Sequence, residues 1–388
     1  MQVGKKITVL ETIRQGQIGG GESHLLSLVE NLDRKQFTPI VLSFTGGSMV
    51  DRLRDSGVKT RIIYTERPFD IFKWGEVKQF IKSNDIDLIH AHGGRANSNV
   101  FWAARKLGIP VIQTVHGWSF NDSQNLIKRR IRTAGEHFLA KESALNISVS
   151  ASNQQTGKEA FMDFQSVVVN NGIDLNRFNP GKSFTDIRGE LNIPRESILL
   201  LFLARFAKEK QPLKPIIAFS EAVKKNPNLH LLMVGDGDMK SRAESLAIEL
   251  GIAEKITFQP FRSDVPDILA ASDIYLLTSL WEGMPIGLLE AMAMGKAVIV
   301  SKVDGTTDII QDGVNGLLVD LANIDRDLAK AIIHLASDPL LLKSLGDRAK
   351  ATVTDRYSAL RMTKEIEDIY LQVLSAKGHT QKAPLTVH

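Results

Sequence analysis

Two carboxylates, Glu282 and Glu290, stand with seven residues between them in the stretch LLTSLWEGMPIGLLEAMAMGKAVIVS at 276–301. The stretch reads as strand, Gly/Pro-containing loop, helix and strand. Glu290 falls in the first turns of the helix and Glu282 in the loop before it, so both can face one cleft. The loop amides around Met284, Ile286 and Gly287 lie where a helix N-terminus presents unpaired donors and the positive end of its dipole. Glycine at 283 and 287 permits close backbone approach to a phosphate. Such a loop can seat an anion. The plainer reading is a solvated Glu282 and a Glu290 that complements the helix dipole.

Arg205 and Lys210 follow an apolar run in LLLFLARFAKEKQP. A guanidinium and an ammonium just past a strand end suit a diphosphate, although a lone basic pair there is usually solvated surface. The opening turn IRQGQIGGGESHLL places Gly16, Gly19, Gly20 and Gly21 ahead of a helix. It misses the GxGxxG spacing, and no acid ends the next strand, VLSFTGGS, to hold a ribose, which disfavours a nicotinamide dehydrogenase. His116 and Gly117 end another strand in VIQTVHGWSF, where the bland alternative is a buried or capping histidine. His24, His90 and His92 are present, but no carboxylate-rich set at ligand spacing accompanies them, so no metal site is expected. The DxD pairs Asp85/Asp87 and Asp236/Asp238 read as a strand opening and a strand-end turn.

The elements that must position these residues follow from a repeated pattern: a short β-branched apolar run, a Gly/Asn/Asp turn, then a segment of helical period. Such alternation gives βαβ units and parallel sheets. Strands are expected at 6–10, 39–44, 60–64, 87–91, 111–115, 145–149 and 166–170, then at 198–203, 229–234, 255–258, 274–278, 297–300 and 317–319. The fold class is therefore α/β, two Rossmann-like doubly wound domains facing a cleft, with ligands at the carboxyl ends of the strands. The first domain spans 1–172, a linker 173–194 and the second domain 195–357. An amphipathic helix at 358–375, with Leu360, Ile366, Ile369, Tyr370 and Val373 at helical spacing, docks back on the first domain. Residues 376–388 form a frayed tail.

Composition narrows the function classes. The 388 residues are 43% hydrophobic and 24% charged, ordinary for a globular protein. With no cysteine there is no disulfide, zinc-thiolate or iron–sulfur site. No apolar stretch approaches the ~18 residues of a membrane span and the start lacks a signal-like apolar region, so a cytoplasmic chain is expected. A net charge of +4 with 6% aromatics gives no nucleic-acid signature. The cluster Lys128, Arg129, Arg130 and Arg132 is either a solvated face or a contact for anionic lipid.

Taken together, these residues resemble the retaining glycosyltransferases of family 4, which have the GT-B fold. The resemblance runs from about Lys6 to Leu374. It is carried by the E-x7-E stretch, by GGGESHLLSLV, TVHG, the NNGID at 170–174, ARFAKEK and the FRSDVPDILAASDIYLLTS at 261–279. It implies that Arg205 and Lys210 neutralise the donor diphosphate, helped by the amides at Met284, Ile286 and Gly287. It further implies that Glu290 holds ribose hydroxyls, Glu282 contacts the transferred sugar and His116 touches that sugar. Gly20 and Gly21 would let a loop approach the phosphates, and Gly235, Phe261 and Arg262 would contact the base. The implied activity moves a sugar from a nucleotide sugar, a UDP-sugar by expectation, to a glycan or lipid-linked acceptor in surface polysaccharide assembly. It needs no metal or other cofactor, and peripheral membrane contact near Trp118, Phe120 and the basic cluster is a further expectation. Many relatives carry roughly EGFG after the first Glu. Here Met284–Pro285–Ile286 separates Gly283 from Gly287, which leaves the donor open. The same scaffold also hosts sugar-nucleotide epimerases, phosphorylases and silent nucleotide-sugar binders.

Overall fold

The computed structural model describes residues 6–65, 67–120 and 126–380. The chain divides into two compact units, Met1–Gly172 with Ala359–His388, and Ile173–Ser358.

In the first unit the strands are β1 (Ile7–Ile13), β2 (Phe37–Ser43), β3 (Lys59–Ile62), β4 (Leu88–His92), β5 (Val111–Val115), β6 (Leu145–Ser148) and β7 (Val167–Val168). All pair in parallel, in the order β3-β2-β1-β4-β5-β6-β7. The order reverses between β1 and β4, which opens a crevice at their carboxyl ends. Helix α1 (Gly20–Asn31) follows β1 directly, and α2 (Leu126–Glu142) precedes β6.

The second unit repeats the plan with β8 (Ile198–Leu203), β9 (Leu229–Val234), β10 (Ile256–Gln259), β11 (Ile274–Leu277), β12 (Ala297–Ser301) and β13 (Leu317–Val319) in the order β10-β9-β8-β11-β12-β13. Its central strands ILLLFL, LHLLMV, IYLL and AVIVS are buried almost throughout, because helices cover both faces of such a sheet. Helix α3 (Ile286–Ala293) links β11 to β12. Residues 173–194 belong to this unit: Phe178, Ile187 and Ile193 are buried, and Arg188 ties the segment to Asp273 at 2.8 Å and to the Ser197 carbonyl at 2.7 Å.

Helix α4 (Ala359–Thr380) packs on the first unit. Met362, Ile366, Ile369, Tyr370 and Val373 bury against Val9, Leu88, Ile112 and Ile147 of the sheet. Each such side chain contributes roughly 1.5–3 kcal/mol. Leu360 is a correction to the expected stripe. It is 66% exposed, because the stripe starts at Met362 and Leu360 lies off that face. The helix continues to Thr380, and the remainder of the expected tail, 381–388, lies outside the described residues. Among the described residues no helix is long and apolar enough to cross a membrane.

Candidate active site

In the second unit the site is built where β8, β11 and β12 end. Thr278, just past β11, donates its hydroxyl to the Lys210 carbonyl at 2.9 Å, and the Leu280 N–H donates to the Glu209 carbonyl at 2.8 Å. Ser301, at the end of β12, donates to the Ser279 carbonyl at 2.6 Å. Three strand ends are thus laced into one platform. On it Lys210 Nζ pairs with Glu282 Oε1, and the Ser279 hydroxyl donates to the same oxygen at 2.5 Å. The Glu282 side chain is only 10% exposed, so this pairing is what offsets the desolvation of its charge. Lys210 and Glu282 are therefore partners of one another in the free protein. Arg205 pairs with Glu209 and stays largely exposed.

Glu290 lies in the second turn of α3, and its carboxylate has no hydrogen-bond partner among the described residues. Burial pushes its carboxyl up to about 7, against the opposing charge of Arg177. The hydroxyl of buried Tyr275 is held well above its ordinary value, first by burial and then by the charges of Glu282 and Glu290. Tyr275 thus stands within electrostatic reach of both carboxylates, and neither it nor Arg177 carried any signal in the sequence. The loop ahead of α3 is closed by Pro285, which has no N–H to satisfy, and no acceptor is found among the described residues for the amides of Ile286 and Gly287. Met284 and Ile286 are buried.

A Cβ at position 287 would lie 2.9 Å from the Tyr275 hydroxyl oxygen, so glycine is needed there for packing. Gly287→Ala is expected to destabilise the second unit by about 1–3 kcal/mol. Adding Tyr275→Phe should recover most of that loss in urea unfolding. An equally unstable double variant would contradict the steric account.

The remaining positions lie nearby in sequence but play different local parts. Gly235 follows β9 at φ +142°, where a Cβ would meet the Ala204 carbonyl oxygen at 2.1 Å, so the β8 and β9 ends pass closely. Phe261 is 38% exposed, and its N–H donates to Asp236 at 2.8 Å. Arg262 is engaged by two carboxylates, Glu190 at 2.6 Å and Asp264 at 2.5 Å, which clamp 187–190 to the start of the helix Val265–Ala271. Its guanidinium is therefore committed within the chain.

In the first unit His116 is half-buried just beyond β5. A Cβ on Gly21 would touch its ring at 3.4 Å, whereas one on Gly20 would meet open space. His24, His90 and His92 converge with His116, and Glu11 completes the cluster: its Oε2 lies 3.0 Å from His92 Nε2 and 3.2 Å from His90 Nδ1. A carboxylate does accompany these histidines, contrary to the expectation from spacing. It comes from β1, whose polar Glu11 and Thr12 interrupt the apolar run that marked the strand. Trp118 and Phe120 also depart from expectation. They stack on each other and meet Phe161 and Phe164 edge-on, Phe120 is buried, and the half-buried Trp118 donates its N–H to the Asn153 carbonyl at 2.9 Å, so both rings are engaged within the unit. Leu126, Ile127 and Ile131 are exposed apolar side chains in the first turns of α2, beside exposed Arg129, Arg130 and Arg132, and Phe138 is exposed further along it. The Lys128 side chain lies outside those described.

Residues 18–177 match the profile of Glycosyltransferase Family 4, and residues 183–352 match Glycosyl transferases group 1. The chain belongs to glycosyltransferase family 4. Among curated relatives, this transferase is 26% identical over 386 residues to the UDP-Gal:alpha-D-GlcNAc-diphosphoundecaprenol alpha-1,3-galactosyltransferase of Escherichia coli. That match covers 96% of this chain and 98% of the relative. It is also 26% identical to the N-acetyl-alpha-D-glucosaminyl L-malate synthase of Bacillus anthracis, over 80% of this chain and 81% of that one. Of solved structures, Anabaena HepE in complex with UDP and glucose superposes with a TM-score of 0.82 at 20% identity, covering 94% of this chain and 99% of that one. The fold of the transferase is accordingly GT-B.

Proposed function

We propose that the transferase moves a hexose from a UDP-sugar to a lipid-linked or glycan acceptor, with retention of configuration and without a metal ion. The observation that carries this reading is the platform at the ends of β8, β11 and β12. There Lys210, Glu282, Arg205 and the unengaged amides of Ile286 and Gly287 come from one unit and suit a nucleoside diphosphate. Departure of that group develops negative charge on its phosphate oxygens. Fixed cations and amide dipoles stabilise such charge without reorganising. Glu290, unpartnered and half-neutral near pH 7, accepts hydrogen bonds from ribose hydroxyls, while Glu282 orients the hydroxyls of the transferred sugar. Phe261, Arg262 and Gly235 border the position of the base. Arg262 acts there by shaping the loop, since its donors are spent on Glu190 and Asp264. The departing phosphate oxygen takes the acceptor hydroxyl's proton on the same face, so no protein base is called for. The galactosyltransferase relative is named for UDP-Gal and a diphosphoundecaprenol acceptor, which supports a UDP-hexose and a lipid-linked acceptor here.

The reading is tested by supplying UDP-galactose, UDP-glucose and UDP-GlcNAc with a lipid-diphosphate sugar acceptor in EDTA. UDP release and an axial new linkage by NMR are expected. Turnover only after a divalent cation is added, or an inverted linkage, would contradict it.

A lipid-linked acceptor brings the transferase to a membrane surface, and α2 offers the contact. Replacing Leu126, Ile127 and Ile131 by serine is expected to abolish binding to phosphatidylglycerol vesicles, and replacing Arg129, Arg130 and Arg132 to weaken it in a salt-dependent way. Unchanged sedimentation with vesicles would sink this placement.

A further inference from the structure

The first unit contains a buried polar seam that the proposed reaction has not used. The register aligns Glu11 of β1 with His90 of β4, and Ile13 with His92. One step back along the same face stand Val9 and Leu88, and level with His90 stands Ile112 of β5, all packed under α4. The seam therefore begins where the apolar core stops and runs toward the carboxyl ends of the strands, where His116 lies. Glu11 is fully buried, and it has no Lys or Arg partner among the described residues. It accepts from the Tyr370 hydroxyl at 2.8 Å and from His92 Nε2 at 3.0 Å. His90 bridges the Tyr370 hydroxyl at 2.6 Å and the Thr114 hydroxyl at 2.7 Å. His92 Nδ1 lies 3.0 Å from His116 Nε2.

Protons along this chain can be counted. Burial opposes ionisation of Glu11, but the charge and hydrogen bond of His90 and the hydrogen bond of His92 hold its carboxyl well below the usual range. Burial and the neighbouring His90 push His92 down to about 4, and burial with the other histidines pushes His116 well down. An ionised carboxylate only accepts, so His92 Nε2 carries a proton and its Nδ1 a lone pair. His116 Nε2 is then the donor in the His92 contact. In neutral His116 the other nitrogen, Nδ1, is a bare acceptor, and it has no partner among the described residues.

Ring geometry supports a chain over a metal site. The His92 and His116 rings are nearly coplanar, at 16°, with centroids 5.3 Å apart. That is as long a separation as a 3.0 Å N···N contact allows, so the two nitrogens point at each other along one line. Although His24, His92 and His116 gather closely enough to suggest a cation, this alignment holds a proton between two rings and aims neither nitrogen at a third point. His24 flanks the chain, with Nδ1 2.9 Å from Asn171 Oδ1 and its ring edge-on to His116.

We propose that Glu11 and His92 are positioning residues that fix His116 in the tautomer with Nδ1 unprotonated, so that it accepts a hydrogen bond from a substrate sugar hydroxyl. The inference rests on the reading of the chain as a sugar transferase and on the contact of His116 with the transferred sugar that the family resemblance implies. The logic is that of outer-shell partners that set which imidazole nitrogen is presented to a ligand.

The test is a long-range 1H–15N spectrum of the full chain with 15N-labelled histidine rings. In the native protein His116 is expected to show a pyridine-like Nδ1 and a pyrrole-like Nε2. Glu11→Leu removes the acceptor while filling its space, and should shift the Nδ1 resonance toward the protonated form. The same variant should lower kcat/KM on the order of tenfold or more while UDP affinity stays unchanged. A native His116 protonated on Nδ1 overturns the inference, and that result does not depend on whether any variant folds. So does a folded Glu11→Leu protein with native tautomer and native kcat/KM. A native protein that binds no UDP would instead remove the transferase reading and leave the tautomer result standing.

Discussion

Lys210→Ala is expected to lower kcat/KM for sugar transfer by about 100- to 1,000-fold, as loss of one preorganised charge at a developing anion does. The local geometry explains why the effect should exceed that of Arg205→Ala. Lys210 is three-quarters buried, with its backbone carbonyl held by Thr278 and its ammonium by Glu282. The charge is thus fixed before any ligand arrives, and transition-state charge meets it at no reorganisation cost. Arg205 is 67% exposed and shares an i,i+4 pair with Glu209 at the surface, so its removal should cost nearer tenfold. Loss of Lys210 also leaves Glu282 with the Ser279 hydroxyl alone, an almost buried carboxylate without its counter-charge. Lys210→Ala/Glu282→Gln should therefore be more stable than Lys210→Ala in thermal unfolding while remaining as inactive. Full activity in Lys210→Ala would remove Lys210 from the diphosphate site.

The second large effect concerns Glu290 and is read in pH. Its carboxyl titrates at about 7 in the free protein, above its ordinary 4.5. Ribose hydroxyls donating to it favour the carboxylate, so its pKa falls on binding. The sign follows: UDP affinity should drop as pH falls below about 7, by up to tenfold per unit. UDP's own terminal phosphate gains a proton in the same region, so the control is Glu290→Gln, which keeps only the ligand's contribution. Calorimetric titrations at pH 5.5, 7 and 8.5 should show a steeper loss for the native protein. Parallel curves would exclude Glu290 from the ribose. The same shift acts on stability. A raised acid pKa makes the folded state hold its proton longer, so the contribution is fully present below about 4.5 and lost as pH rises through about 7. Glu290→Gln should thus raise the free protein's stability at pH 8 relative to pH 5, by at most about 3 kcal/mol.

How much of this was legible in the sequence depends on the physics of each feature. The strands of both sheets were, because buried parallel strands are continuous β-branched and leucine runs bounded by turn residues. The exception is instructive. The run marking β1 stops at Leu10, yet the strand continues to Ile13. A buried carboxylate breaks apolar patterning, and so Glu11 escaped notice although it anchors the histidine seam. Site residue types at 205, 210, 282 and 290 were visible, but spacing cannot show that Lys210 and Glu282 neutralise each other, or that Arg262 is held by Glu190 from 72 residues away. Those pairings are set by which strand ends adjoin. Trp118 and Phe120 looked like surface aromatics because the Phe161 and Phe164 rings that bury them come from a distant turn. Leu360 looked like core because a single apolar residue one turn early is compatible with several helix phases, and only docking chooses among them.

The measurement that tests the central claim most directly is isothermal titration of the native protein and Lys210→Ala with UDP in the presence of EDTA, with GDP, ADP and NAD as comparators. The account predicts selective UDP binding by the native protein with EDTA present, and affinity weakened by about tenfold or more in Lys210→Ala. Binding that appears only with a divalent cation, equal affinity in both proteins, or no nucleotide binding would contradict it.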